Sequence, residues 1–253
     1  KLVDWDRDAD IKIAAQILYT DQEITHVSKT AMRKYLQKIS RARRKSDPAL
    51  RQWESTLKWW NPIHDLIKES VPDRSMQGRN RRHKLPRAFE HAFAEVEFNI
   101  DFGVFRDLQR NRMSSTERQR LSAEEIFVPK EFKEADMKGV LKDYLWHAEW
   151  TRKLNNAIDK KIGHQASEYV TMLGNKLRFN IRANIRQWCF FAELRTIPGG
   201  HPTYRNAMQE AARQILEAMP FLKPLFVHVD WTSDYGLGRL KAELRTQEKL
   251  EKV

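Results

Sequence analysis

The stretch Arg106-Asp107-Leu108-Gln109-Arg110-Asn111-Arg112-Met113-Ser114-Ser115 follows a segment in which Ala94, Val96, Phe98 and Ile100 alternate with Glu95, Glu97 and Asn99. A period of two marks a half-buried strand, and from Val104 to Met113 the spacing turns helical. Arg106, Arg110 and Arg112 therefore crowd the end of a strand–helix unit. Several forked guanidiniums in one place suit bidentate recognition of phosphate. A solvated basic helix end is the alternative that this segment alone leaves open.

Working outward, Leu2-Val3 reads as a short strand, and Asp8 and Asp10 open a helix carrying Ile11, Ile13, Ala14, Ile17 and Leu18. Lys29 to Arg51 holds nine basic residues against one acid, Asp47, with Ala31, Met32, Tyr35, Leu36 and Ile39 at helical spacing. Asp47-Pro48 ends that helix and starts another with Trp53, Leu57 and Trp60, which breaks at Asn61-Pro62. A second basic run from Arg74 to Arg87 contains Arg79, Arg81, Arg82 and Lys84 and no acid. Its composition is that of a loop that grips anions or nucleic acid. Met137, Val140, Leu141, Tyr144, Leu145 and Ala148 predict a long helix over about 134–160.

A second alternation places Leu177, Phe179 and Ile181 inward and Arg178, Asn180 and Arg182 outward. A helix from Asn184 to Leu194, a turn at Gly199-Gly200 and a helix from Thr203 to Met219 follow, then a charged, helical tail from Leu240 to Val253. Helices dominate, and two separated strands are long enough to pair across the core. The pattern is α+β without regular βαβ alternation, and the expected organisation is one domain over 1–253 with a basic helical insertion at about 27–80.

The chain has 253 residues, with 46 Lys and Arg against 34 Asp and Glu, a net charge of +12, 41% hydrophobic residues and eight Trp. That aromatic content opposes disorder, and the length suffices for a real core. No apolar run approaches the roughly 20 residues of a spanning helix, so no membrane segment is expected. The single cysteine, Cys189, removes any disulfide framework or Cys-based zinc site. Between Trp188 and Phe190 it reads as a buried structural thiol, not a nucleophile. These features suit a reducing compartment, the cytoplasm or an organelle interior, and not secretion. The start at Lys1, without Met or a leader, suggests excision from something longer. No phosphate-binding loop, nucleophile elbow or His pair at metal spacing occurs, Gly236-Leu237-Gly238 lacks a third glycine, and no metal is expected. The positive charge favours polyanions, with solubility as its ordinary alternative.

The segment around Arg110, Asn111, Arg112 and Ser115 resembles the signature of the flavin-dependent thymidylate synthases, the thymidylate synthase complementing protein family: Arg-His-Arg-x-x-Ser-x-Asn-x-x-Ser-x-Arg. Glu90-His91 is similar to that family's Glu-His pair, and Asn184-Ile185-Arg186, running to Glu193-Leu194-Arg195, to its Asn-Ala-Arg helix. The resemblance is best over about 85–122 and 165–219. Gly78-Arg79-Asn80-Arg81-Arg82-His83-Lys84 and Gly199-Gly200-His201-Pro202-Thr203-Tyr204-Arg205 look like a divergent branch in which such domains occur paired within longer chains.

The resemblance implies an antiparallel-type sheet flanked by long helices, assembly as a homotetramer or pairing with a second such domain, and methylation of dUMP at C5. Methylenetetrahydrofolate supplies the carbon, and FAD and NADPH the reducing equivalents. Arg110, Arg112, Asn184, Arg186, Glu90 and His91 would hold FAD. Arg195 and His83 would be catalytic, Arg195 facing the uracil. Ser115, Arg118, Arg120 and Arg106 would bind the nucleotide.

The chain departs from the family pattern at Asn111 for the signature His, Glu117 for its Asn, Arg120 for its second Ser and Ser122 for its last Arg. Asp107 stands for a Gln, Glu168 for an Arg, and Leu85 for a His that His83 would replace. Most changes fall on the nucleotide-phosphate side. A carboxylate about 4 Å from a phosphate costs on the order of 4 kcal/mol at an effective dielectric near 20 unless a cation such as Arg118 or Arg120 lies between. Two functions therefore compete: a flavin-dependent pyrimidine nucleotide methyltransferase, and a catalytically inactive homologue whose basic surface binds RNA or serves as a scaffold. A regulatory or structural half beside a catalytic half is a third.

Overall fold

The computed structural model describes residues 1–7, 9–20, 84–232, 243–244 and 247–248. His83, the insertion at about 27–80, most of the basic run before Lys84, and nearly all of the tail lie outside the described residues. The elements are β1 (Leu2–Trp5), α1 (Ala9–Thr20), β2 (Phe93–Asp101), α2 (Phe102–Leu108), β3 (Ser115–Arg118), α3 (Lys138–Lys161), β4 (Lys176–Asn184), α4 (Ile185–Arg195) and α5 (Pro202–Ala218). The four strands are hydrogen-bonded in the order β1-β2-β4-β3. The chain divides into two compact units, one of Lys1 and Val96–Ile181, the other of Leu2–Glu95 and Arg182–Val253.

In the unit containing Val96–Ile181, Phe102 N donates to Asn175 O at 2.8 Å where β2 ends and β4 begins, so the two strands run antiparallel. Val96, Phe98, Leu177, Phe179 and Ile181 are buried, as the two alternations predict. Phe98 stacks on Phe179 with ring centroids 5.1 Å apart, and Phe105 of α2 meets Phe179 edge-on at 4.9 Å. Each such ring removed from water contributes about 1.5–3 kcal/mol, and the ring contacts add about 0.5–1.5 kcal/mol. Asp101 caps α2 by accepting from Val104 N at 2.9 Å. That cap starts the helix at Phe102, and it ends at Leu108, the last buried apolar residue, where Asn111 N turns back to Leu108 O at 3.1 Å. The expected helix to Met113 is thus shorter, and the following residues form an unforeseen strand. β3 runs antiparallel to β4, with Gln119 N donating to Arg178 O at 2.9 Å. Only Ala148, Thr151 and Asn155 of α3 are buried.

In the other unit, Ile185 N donates to Ala92 O at 2.9 Å, and Arg182 pairs with Glu95 at 3.3 Å across the outer face of β4 and β2. Trp188 is buried and donates Nε1–H to Ala94 O at 2.8 Å, so its polar edge is satisfied. Cys189 is buried, as its apolar neighbours predict. Asn184 ends β4 and caps α4, its side-chain oxygen accepting from Gln187 N at 2.8 Å, a contact worth about 1 kcal/mol. Along α5, Arg205, Met208, Gln209, Ala212, Ile215 and Leu216 are buried at helical spacing.

The fully buried Arg205 ties this unit together. Its Nε donates to Thr196 O at 3.0 Å, Nη2 donates to Thr232 O at 3.3 Å, and Asp230 supplies the counter-charge at 3.6 Å. Gln209 donates to Asp230 O at 2.8 Å and Thr232 O at 3.0 Å. A buried guanidinium is tolerable only when its donors and charge are met this completely.

Candidate functional site

Six candidate residues lie in the unit that contains β3. Arg106 is on the last turn of α2, and Arg110 and Arg112 lie in the turns that follow; all three are exposed. None forms an ion pair with another described residue. Ser114 Oγ donates to Asn111 O at 2.8 Å, which closes the turn and leads into β3 at the exposed Ser115.

Arg118 and Arg120 are placed differently. Arg118 sends Nη1 to Glu168 Oε1 at 3.3 Å and Nη2 to Glu168 Oε2 at 3.4 Å, a two-pronged pair, and Leu121 N donates to Glu168 Oε1 at 3.1 Å. Arg120 Nη2 reaches Ser167 Oγ at 3.4 Å and pairs with Asp159. Burial raises the Glu168 pKa, but the hydrogen bonds from Arg118 and the Leu121 amide, with the charges of Arg118 and His164, outweigh it and hold this carboxyl below its ordinary range. Arg118 thus faces Glu168, the residue that the resemblance sets in place of an Arg.

The other unit holds Glu90, His91, Asn184, Arg186 and Arg195. Arg186 leaves the first turn of α4, donating Nε–H to Leu85 O at 2.6 Å and Nη1–H to Glu90 Oε1 at 2.9 Å. Glu90 and His91 end the short helical turn Arg87–His91, so this pair fastens that turn to α4. His91 is exposed and has no side-chain hydrogen bond to another described residue. Asn184 uses its carbonyl oxygen as the helix cap.

Arg195 closes α4. Its Cζ lies 5.9 Å from the Phe191 ring centroid and 5.7 Å from that of Tyr204, both within the range of cation–ring attraction. Its Nε is buried with no hydrogen-bond acceptor among the described residues. An unsatisfied buried donor of a charged group is costly. Sequence reasoning did not single out Tyr204, although Gly199-Gly200 ahead of it signalled a tight turn; nor did it pair Arg118 with Glu168, which the sign change at position 168 could have suggested. Among the described residues no group of three or more His, Cys, Asp or Glu could hold a metal, and no helix is long and apolar enough to cross a membrane.

The geometry can be set beside known proteins. UPF0159 proteins of Chlamydia muridarum and Chlamydia pneumoniae are 33% and 34% identical over 167 and 189 residues, covering 66% and 74% of this chain. One from Thermoplasma acidophilum is 30% identical over 68% of the chain. The alignments take in 31%, 34% and 34% of those proteins, so the chain spans about a third of the length of the curated relatives it matches. Among solved structures, the UMP/dUMP methylase PolB from Streptomyces cacaoi bound with 5-Br dUMP matches with a TM-score of 0.58 at 15% identity, covering 87% of this chain and 91% of that one. This likeness shows a shared fold. The model of the family described as thymidylate synthase complementing protein matches residues 1–221, and the chain belongs to that family.

Proposed function

We propose that this chain is a pyrimidine nucleotide-binding domain of the flavin-dependent methylating type, acting at C5 of a uridine nucleotide such as dUMP, with FAD as redox partner and methylenetetrahydrofolate and NADPH as co-substrates. The observation that carries the reading is Arg195, whose buried Nε–H has no acceptor among the described residues and whose Cζ lies 5.9 and 5.7 Å from two aromatic ring centroids. Family membership and the methylase neighbour support the same direction.

Arg110 and Arg112 support a flavin dinucleotide as ligand: both are exposed cations with no acidic partner among the described residues, suited to a diphosphate. Arg186 would contribute its remaining N–H groups, with Glu90 and the Leu85 carbonyl fixing its orientation. Asn184 would contribute its amide N–H groups, and His91, exposed next to Glu90, its ring. FAD, when bound, would supply the hydride that completes a transferred methyl group. Arg195 would donate to a uracil carbonyl and stabilise the negative charge that develops on that oxygen as C5 reacts. Arg118 and Arg120 would reach a nucleotide phosphate with the N–H groups that Glu168 and Asp159 leave, or by exchanging those carboxylates for it. Arg106 and Ser115 carry no such debt. His83 keeps its proposed catalytic place on the resemblance alone.

The test is dTMP formation from dUMP by the chain supplied with FAD, NADPH and methylenetetrahydrofolate. Product that disappears in Arg195→Ala supports the reading; no product and no dUMP binding contradicts it.

A second reading follows from the three exposed arginines and the net charge of +12: an inactive homologue that binds RNA through phosphate contacts. Its affinity would fall steeply with salt, about 0.7 log units per log unit of salt for each phosphate neutralised on a single strand. A flat salt dependence would count against it.

A further inference from the structure

We infer that Tyr204 positions Arg195 for the pyrimidine and that Gly200 makes room for Tyr204 to do so; the inference rests on the reading of Arg195 given above. The three residues belong to one short piece of chain. Arg195 ends α4, Gly200 lies in the connecting turn, where its N–H donates to Ile197 O at 3.0 Å, and Tyr204 stands in the first turn of α5. His201 caps α5 by accepting from Thr203 N at 3.3 Å, and Pro202 opens it, so the base of Tyr204 is fixed by the helix start.

Aromatic rings within about 6 Å of a guanidinium attract it while leaving its N–H groups for a ligand. Phe191, at 1% exposure, is part of the core. Tyr204 is half-buried, the less confined of the two rings. A Cβ at Gly200 would lie 2.5 Å from the Tyr204 hydroxyl oxygen, 2.8 Å from Cε2 and 2.9 Å from Cζ. The ring therefore lies against bare backbone, in a place that alanine would deny it. The atoms that would collide are the far end of a side chain, so Gly200→Ala displaces the ring without breaking the turn. This gives Tyr204 the role of a positioning residue acting through Arg195.

The test is equilibrium dialysis with labelled dUMP on the 253-residue chain, with thermal melting of each variant as a control for folding. Tyr204→Leu and Gly200→Ala are expected to weaken dUMP binding roughly tenfold, the scale of one cation–ring contact, with melting unchanged. Tyr204→Phe, which keeps the ring, restores binding to within about threefold. In an Arg195→Lys background, where the planar fork is already gone, Tyr204→Leu adds no further loss. Wild-type-like binding by Tyr204→Leu, an equal loss in the Arg195→Lys background, or a Phe variant as weak as the Leu variant would each overturn the inference. If Tyr204→Leu fails to fold, Gly200→Ala and Tyr204→Phe decide between the same outcomes. Failure of the unaltered chain to bind dUMP would instead overturn the functional reading itself, and this inference with it.

Discussion

Arg186 spans from α4 to the turn before β2, donating to Leu85 O at 2.6 Å and to Glu90 Oε1 at 2.9 Å, so a residue with a proposed role in cofactor binding is also a brace. The two halves of that brace differ in worth. The carbonyl of buried Leu85 loses a partner in Arg186→Ala, which is expected to destabilise the chain by about 1–2 kcal/mol. Glu90 is half-exposed, so Glu90→Gln is expected to cost no more than about 0.5 kcal/mol. Urea denaturation of the two variants measures both, and an equal loss in each would show that the ion pair and not the carbonyl contact dominates.

Arg205 is the costlier loss. Arg205→Met removes the donors to Thr196 O and Thr232 O and leaves Asp230 without its counter-charge, and about 2–4 kcal/mol is expected. Thermal unfolding should show a clear drop in midpoint. A melting curve like that of the unaltered chain would mean that the segment at Asp230–Thr232 is held by other contacts.

Phe179→Ala empties a site between Phe98 and Phe105 and is expected to cost about 3–5 kcal/mol, whereas Phe179→Leu, closer in volume, should cost well under half of that. Chemical denaturation midpoints compare the two directly.

Glu168 makes stability depend on pH in a defined direction. Its folded pKa lies below its unfolded value, so the stabilisation is fully present above the unfolded value and is lost as pH falls through the folded one. Glu168→Gln should therefore differ most from the unaltered chain near neutral pH and converge with it as acid titrates the folded carboxyl. Urea midpoints across that range test it, and a gap independent of pH would assign the effect to packing.

The sheet centre was legible because β2 and β4 alternate strictly, with Val96, Phe98, Phe179 and Ile181 on the buried face. The long helices were legible to within a few residues for the same kind of reason, and Asn184 announced the start of α4. β3 was not, since Ser115–Arg118 at the sheet edge is mostly exposed and carries no apolar alternation. The end of α2 was read too late because nothing in Arg110-Asn111-Arg112 marks a stop as glycine or proline would; the helix ends where burial ends, at Leu108. At the site, the order of Asn184, Arg186 and Arg195 along one helix could be read from spacing. The partners of Arg118 and Arg120 could not, because Glu168 and Asp159 lie tens of residues away in the chain and are brought near only by folding.

A chain that takes a flavin and a pyrimidine nucleotide must change the visible absorption of FAD titrated first with the protein and then with dUMP. The expected result is a perturbed flavin band on adding protein, a further change on adding dUMP, loss of the first in Arg112→Ala and loss of the second in Arg195→Ala. A flavin spectrum that ignores the protein at every concentration would contradict it.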